Sequence, residues 1–270
     1  MFKKLINSLS TVKETNPVVH NITNYVTVTD VANSLLAIGA SPIMSHAEKD
    51  FSELMQIIKV TNGSLVLNIG TLDDTRINQM ISAGKIANDL EVPIILDPVG
   101  AGATSYRTEA ALRLLKEMKI TVIKGNESEI QSLVGDSNQT RGVDAVETDG
   151  NKIDLAIRAA KKYKCIVAIT GKEDYISDSK AVYKVKNGTK ELGKITGSGC
   201  MLAGIIGAFL CSEKPVIATT LAIGFMGLAG EMAEKNSKGP GSFRYELFDS
   251  FANIEKEFIE RRLNVESIKL

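Results

Sequence analysis

From about residue 64 onward, short apolar runs alternate with longer amphipathic stretches. Residues 64–70, 93–100, 120–125 and 165–171 are apolar runs, each closed by a glycine. Unbroken runs of this length predict strands buried on both faces, since a half-exposed strand would alternate with polar residues. Residues 75–90, 108–118, 126–134 and 153–163 carry apolar side chains at helical spacing, as at Ala111, Leu112, Leu115 and Met118. Strand and helix in alternation predict an α/β fold whose parallel sheet is covered on both faces. Tyr175 to Ser177 and Ala181 to Val185 predict a short antiparallel edge pair. Residues 135–150 predict a polar surface loop, and residues 199 to about 262 a mostly helical stretch. No repeat or low-complexity linker divides the chain, so one domain, 1–270, is expected.

The most apolar tract, 201–210 and 215–232, is interrupted by Ser212, Glu213 and Lys214. Its second part offers about 15 apolar residues before the composition thins, short of the ~20 that span a bilayer. Two buried helices are therefore expected, with no membrane role. Lys and Arg together equal Asp and Glu at 32 each, which gives no electrostatic footprint for nucleic acid. Three cysteines (Cys165, Cys200, Cys211) and two histidines (His20, His46) lack metal-ligand spacing. Sparse, unpaired cysteines fit a reducing, cytoplasmic setting. Cys165 and Cys211 are expected to be structural.

The candidate chemistry gathers at strand ends, where open α/β sheets bind ligands. Asn68-Ile69-Gly70-Thr71, Asp97-Pro98-Val99-Gly100, Lys124-Gly125-Asn126 and Thr170-Gly171-Lys172 close the four runs. Thr196-Gly197-Ser198-Gly199-Cys200 stands directly before the apolar helix. Gly197, Ser198, Gly199 and Cys200 would present backbone N–H groups at that helix N-terminus, an anion hole suited to a transferring phosphoryl group. Asp97 and Glu129 are carboxylates suited to Mg²⁺, which takes oxygen ligands and bridges phosphates. Lys124 offers a point positive charge, and Thr170 a hydroxyl beside a glycine. Neither GxxxxGK[ST] nor GxGxxG occurs, so P-loop and dinucleotide-fingerprint sites are not expected.

Asn126-x-x-Glu129 together with Gly197-Ser198-Gly199-Cys200 resembles the ribokinase-like kinases. The block Pro17-Val18-Val19-His20-Asn21-Ile22-Thr23-Asn24-Tyr25-Val26, then Gly39-Ala40-Ser41-Pro42-Ile43-Met44 and Leu96-Asp97-Pro98-Val99-Gly100-Ala101, resembles the hydroxyethylthiazole kinases. Gly239-Pro240-Gly241-Ser242-Phe243 fits the same family. The resemblance implies a three-layer αβα sandwich with a mostly parallel central sheet. It implies phosphorylation of the primary alcohol of 4-methyl-5-(2-hydroxyethyl)thiazole by ATP and Mg²⁺, in thiamine salvage. Carried over to this chain, Met44 and Gly197 contact the thiazole with Asn24 near it. Lys124, often arginine in the family, and Thr170 bind ATP. Asp97 and Glu129 lie at the metal–phosphate site. The family also implies a homotrimer in which the N-terminal block of one chain faces the anion hole of a neighbour.

Cys200 stands where most ribokinase-like enzymes carry an aspartate base. A free thiol, with a reference pKa of ~8.5, is mostly protonated at neutral pH, and a helix N-terminus favours thiolate. Two roles fit: a general base, or a residue that only lines the anion hole while positioning and electrostatics dominate. A weak base with a dominant electrostatic contribution is expected. His20 and His46 are not expected to catalyse. The alternatives are a kinase for another heterocyclic alcohol such as hydroxymethylpyrimidine, an ATP-dependent dehydratase of the same fold, and a silent thiazole-binding module.

Overall fold

Alternation along each strand decides which helical layer its side chains meet. The computed structural model describes residues 1–135 and 149–268. Among them, nine strands form one sheet in the order β2-β1-β3-β4-β5-β6-β7-β8-β9. The first six in that order are β2 (Ser41–Ile43), β1 (Val18–Ile22), β3 (Ser64–Asn68), β4 (Ile94–Asp97), β5 (Val122–Asn126) and β6 (Ile166–Thr170), all parallel. Then β7 (Asp174–Ser177), β8 (Val182–Val185) and β9 (Val265–Ile268) run antiparallel, each to its neighbour.

Two apolar layers cover the faces. On one, Leu65, Leu67, Ile94, Leu96, Ile123, Val167 and Ile169 pack under α3 (Phe51–Val60), α4 (Asp74–Asp89), α5 (Ser105–Glu117), α6 (Glu127–Val134) and α7 (Asp149–Tyr163). On the other, Val66, Ile95, Val122 and Ala168 pack under α1 (Phe2–Thr15), α2 (Val28–Ile38), α8 (Ser198–Phe209), α9 (Pro215–Asn236), α10 (Pro240–Asn253) and α11 (Lys256–Arg262). The fold is thus a three-layer αβα sandwich with a mostly parallel sheet. Each fully buried Val, Leu or Ile contributes roughly 1.5–3 kcal/mol, so dozens of them outweigh any single polar contact in holding the layers together.

Two expectations need correction. The antiparallel pair β7–β8 forms, but β9, outside every predicted strand, covers β8 and takes the edge. Its Val265-Glu266-Ser267-Ile268 is too short and mixed to give a strand signal. The strands β1 and β2 and the helices α1, α2 and α3 lie in a part of the chain whose sequence was informative only as motif blocks. The helix read as too short to span a bilayer is 22 residues long, because it runs through Glu231 to Asn236. By length and composition it passes for a membrane span, yet 78% of its most apolar window is buried inside the fold. The predicted loop at 135–150 falls mostly on residues 136–148, outside the described residues; Gly135 ends α6 and α7 begins at Asp149.

Candidate active site

Two residues beyond Val66, Ile95, Val122 and Ala168, the same sheet face carries Asn68, Asp97, Lys124 and Thr170. All four lie at or near the carboxyl ends of parallel strands, under the layer that contains α8. Asp97 is 1% and Lys124 5% exposed. The sheet thereby gathers an amide, a carboxylate, an ammonium and a hydroxyl along one edge.

The N-terminus of α8 points into this row. Gly197 is its N-cap, at φ 92°. A Cβ there would lie 2.7 Å from Thr27 Cγ2 and 2.9 Å from Thr27 Cβ. Both the left-handed backbone and that close approach require glycine. The Met201 N–H donates to the Gly197 carbonyl at 2.8 Å, opening the helical ladder. The N–H groups of Ser198, Gly199 and Cys200 therefore have no intrahelical acceptor and suit an anion. Gly199 also lets the chain approach Lys124, since a Cβ would lie 3.1 Å from its Nζ.

Cys200 meets two amides. Asn24 Nδ2 donates to its Sγ at 3.2 Å and Asn68 Nδ2 at 3.3 Å. Asn24 Nδ2 also donates to Asn68 Oδ1 at 3.0 Å, and Asn68 Nδ2 to Asp97 Oδ2 at 2.7 Å. Lys124 Nζ donates to Asp97 Oδ1 at 2.9 Å and to the Gly199 carbonyl at 3.1 Å. Thiol, amides, carboxylate and ammonium form one continuous network. Burial pushes the Asp97 carboxyl up, and the Lys124 charge opposes that shift. Burial would push Lys124 down, but the Asp97 carboxylate, with help from Glu129 and the Cys200 side, holds it above the ordinary lysine range. Lys124 is therefore a fixed cation beneath the α8 N-terminus.

Asn126-x-x-Glu129 is a capping box. Asn126 Oδ1 accepts the Glu129 N–H at 2.9 Å, and Glu129 Oε2 accepts the Asn126 N–H at 2.8 Å. Glu129 Oε1 accepts the Gly100 N–H at 2.8 Å, pinning the loop after β4. Each oxygen of Asp97 and Glu129 already accepts one hydrogen bond, and among the described residues no three acidic, His or Cys side chains cluster as a metal cage. That donor set fits a magnesium ion that keeps several waters and leans on substrate phosphates, the usual habit of Mg²⁺.

Thr170 lies at the same edge, paired with Asn126 across the ladder, its hydroxyl donating to the Gly125 carbonyl at 3.3 Å. Met44 is not part of this cluster. It lines a cleft of about 190 Å³ with Asn21, Thr23, Tyr25, Val28, His46 and Arg76, which includes neither Gly197 nor Cys200. Asn24, by contrast, reaches Cys200 within one chain. His20 is fully buried against Phe51 and donates from Nε2 to the Ser45 carbonyl at 2.7 Å. Burial lowers its pKa, against the Ser45 carbonyl and Asp50. It is a neutral core histidine. Cys165 is buried, and Cys211 is half-buried against Thr15 at 3.6 Å.

Two residues given no role from the sequence complete the scaffold. Asn68 bridges Asp97 and Cys200; its place at a strand end two residues before Gly70 was the only signal. Arg107 binds the Ile69 and Val99 carbonyls at 3.0 Å and the Gly70 carbonyl at 3.1 Å, clamping the loops after β3 and β4. Its fork matches carbonyls from two loops, which no sequence spacing announces.

Residues 9–257 match the hydroxyethylthiazole kinase family. The hydroxyethylthiazole kinase of Clostridium tetani is 45% identical over 270 residues, covering 97% of each chain. The solved hydroxyethylthiazole kinase of Pyrococcus horikoshii superposes with a TM-score of 0.91 at 40% identity, over 99% of this chain and 100% of that one. A ribokinase-like superfamily protein from Enterococcus faecalis superposes with a TM-score of 0.61 at 16% identity, over 90% and 89% of the two chains, a likeness of fold alone.

Proposed function

The chain belongs to the hydroxyethylthiazole kinase family, and from that premise we propose a residue-level account of how it phosphorylates the primary alcohol of 4-methyl-5-(2-hydroxyethyl)thiazole with ATP. The observation that carries the account is Cys200 in the first turn of α8, its sulfur held by Asn24 and Asn68 beside the Lys124–Asp97 pair. The alcohol oxygen attacks the γ-phosphorus, the bond from that phosphorus to the bridging oxygen breaks, and ADP departs. The alcohol proton passes to Cys200 Sγ, which must enter the step as thiolate. The N–H groups of Ser198, Gly199 and Cys200 donate to the oxygens of the transferring phosphoryl group. Lys124, whose ammonium stays charged, adds positive potential below them.

Asp97 and Glu129 are the residues that would hold Mg²⁺, which when bound neutralises phosphate charge. Thr170, at the far end of the same strand edge, belongs to the ATP side. Gly197 and Met44 are assigned to the thiazole, with Asn24 near it. Met44 lines a cleft whose lining does not include Gly197. A homotrimer that brings Met44 of one copy to Gly197 of the next would join them, and a solution mass of three chains by light scattering tests that. The account treats residues 1–270 as one kinase domain acting in the cytoplasm. The family match does not favour the pyrimidine-alcohol and dehydratase alternatives, and turnover itself tests the silent binder. Phosphorus NMR of the product tests the reaction: a phosphate monoester on the hydroxyethyl arm supports it, and free inorganic phosphate alone refutes it.

A further inference from the structure

Asn24 and Asn68 have no spare polar atom. Asn68 Oδ1 accepts from Asn24 Nδ2 at 3.0 Å and from the Gly70 N–H at 2.9 Å. Asn24 Oδ1 accepts from the Thr27 N–H and the Thr27 hydroxyl, both at 3.0 Å. A primary amide has two N–H donors. Asn68 spends one on Asp97 Oδ2 and one on Cys200 Sγ. Asn24 spends one on Asn68 and one on Cys200. A flip of Asn68 would set its oxygen against Asp97 Oδ2 at 2.7 Å, where two acceptors repel. The network therefore fixes which end of each amide faces the sulfur. Both are 4% exposed or less, and they reach a part-buried sulfur.

We infer that Asn68 is a positioning residue that acts through Cys200. Its side chain, oriented by Asp97, fixes Sγ as a hydrogen-bond acceptor and keeps the sulfur's proton-accepting lone pair turned to the alcohol. The charged groups around the sulfur are Lys124 on β5 and Asp97 on β4, both bound into the same network. Thr27 extends the arrangement by locking Asn24, and it also packs against Gly197. The geometry thus ties the sulfur to the anion hole through three side chains. This inference rests on the kinase account for its turnover readout and on the thiol alone for its second readout.

The test is a double-mutant cycle on kcat with Asn68→Ala and Cys200→Ala, with Asn68→Ser as a second variant should the alanine fail to fold. With Cys200 present, loss of the Asn68 amide is expected to lower kcat about fivefold with little change in the KM for ATP. With Cys200→Ala already in place, the same loss is expected to change kcat less than about twofold, because coupled groups are non-additive. Equal effects in both backgrounds would overturn the inference and assign Asn68 to Asp97 instead. Alkylation by iodoacetamide, mapped by mass spectrometry, reads the sulfur without turnover. Cys200 alkylation is expected to slow several-fold in the Asn68 variants. Cys165, whose thiol burial pushes up to about 12, stays inert as an internal control. Unchanged Cys200 alkylation would also overturn the inference, whatever the fate of the kinase account.

Discussion

Lys124 Nζ stands 2.9 Å from Asp97 Oδ1 in a place almost closed to solvent. Desolvating two charges costs about as much as their attraction returns, so such a pair is weak evidence for stability. Its position under the α8 N-terminus suits the proposed use, a fixed cation where phosphate charge would develop. Removing one partner leaves the other buried without its opposite charge. Lys124→Met is expected to destabilise the fold by about 3–5 kcal/mol, and Lys124→Met with Asp97→Asn by markedly less. Urea unfolding of the two variants checks this; equal losses would contradict the pairing.

Gly197 cannot take a side chain without conflict. Its φ of 92° and the 2.7 Å approach to Thr27 Cγ2 both act against a Cβ. Gly197→Ala is expected to lower kcat/KM for the thiazole alcohol at least tenfold by displacing the α8 N-terminus. Thr27→Ala in the same chain is expected to return only part of that, since it relieves the contact and leaves the backbone strain. Steady-state kinetics of the single and double variants decide it.

The layers and the parallel sheet were legible from the apolar runs, because strands buried on both faces need unbroken hydrophobicity. So was the glycine turn that opens α8, because its glycines serve backbone geometry rather than tertiary context. The functional pairing of strand ends was only half legible. Alternation puts Asn68, Asp97, Lys124 and Thr170 on one face, but which helix covers that face is a tertiary fact. Glu129 shows the converse: its spacing from Asn126 satisfies a local capping box as well as a metal-site pattern. Arg107 and β9 gave no local signal at all, since their roles depend on carbonyls and a strand edge distant in sequence.

Asp174 carries the clearest pH dependence. Burial pushes its carboxyl up to about 7, against the Gly171 N–H and the Lys124 charge. An unfolded aspartate titrates near ~3.9. Between those values the folded chain holds a proton that the unfolded chain has lost, so stability falls as pH rises across the window. Asp174→Asn keeps an oxygen for the Gly171 N–H and removes the titration. Its melting temperature is expected to gain on the parent progressively from pH 4 to 7 and to hold that gain above. A constant difference across that range would contradict the assignment.

Cys200→Ala separates base from anion hole. The backbone N–H groups survive the change, while the sulfur proposed to accept the alcohol proton does not. kcat is expected to fall about tenfold, below the ~10²–10⁴ of a full general base, with a smaller change in KM. An unchanged kcat would leave the anion hole intact and remove the base.

ADP release measured over a panel of alcohols, with and without Mg²⁺, tests the central claim most directly. The account predicts ADP formation that depends on 4-methyl-5-(2-hydroxyethyl)thiazole and on magnesium, with hydroxymethylpyrimidine turned over far more slowly. No turnover of the thiazole alcohol while another alcohol is phosphorylated would contradict it.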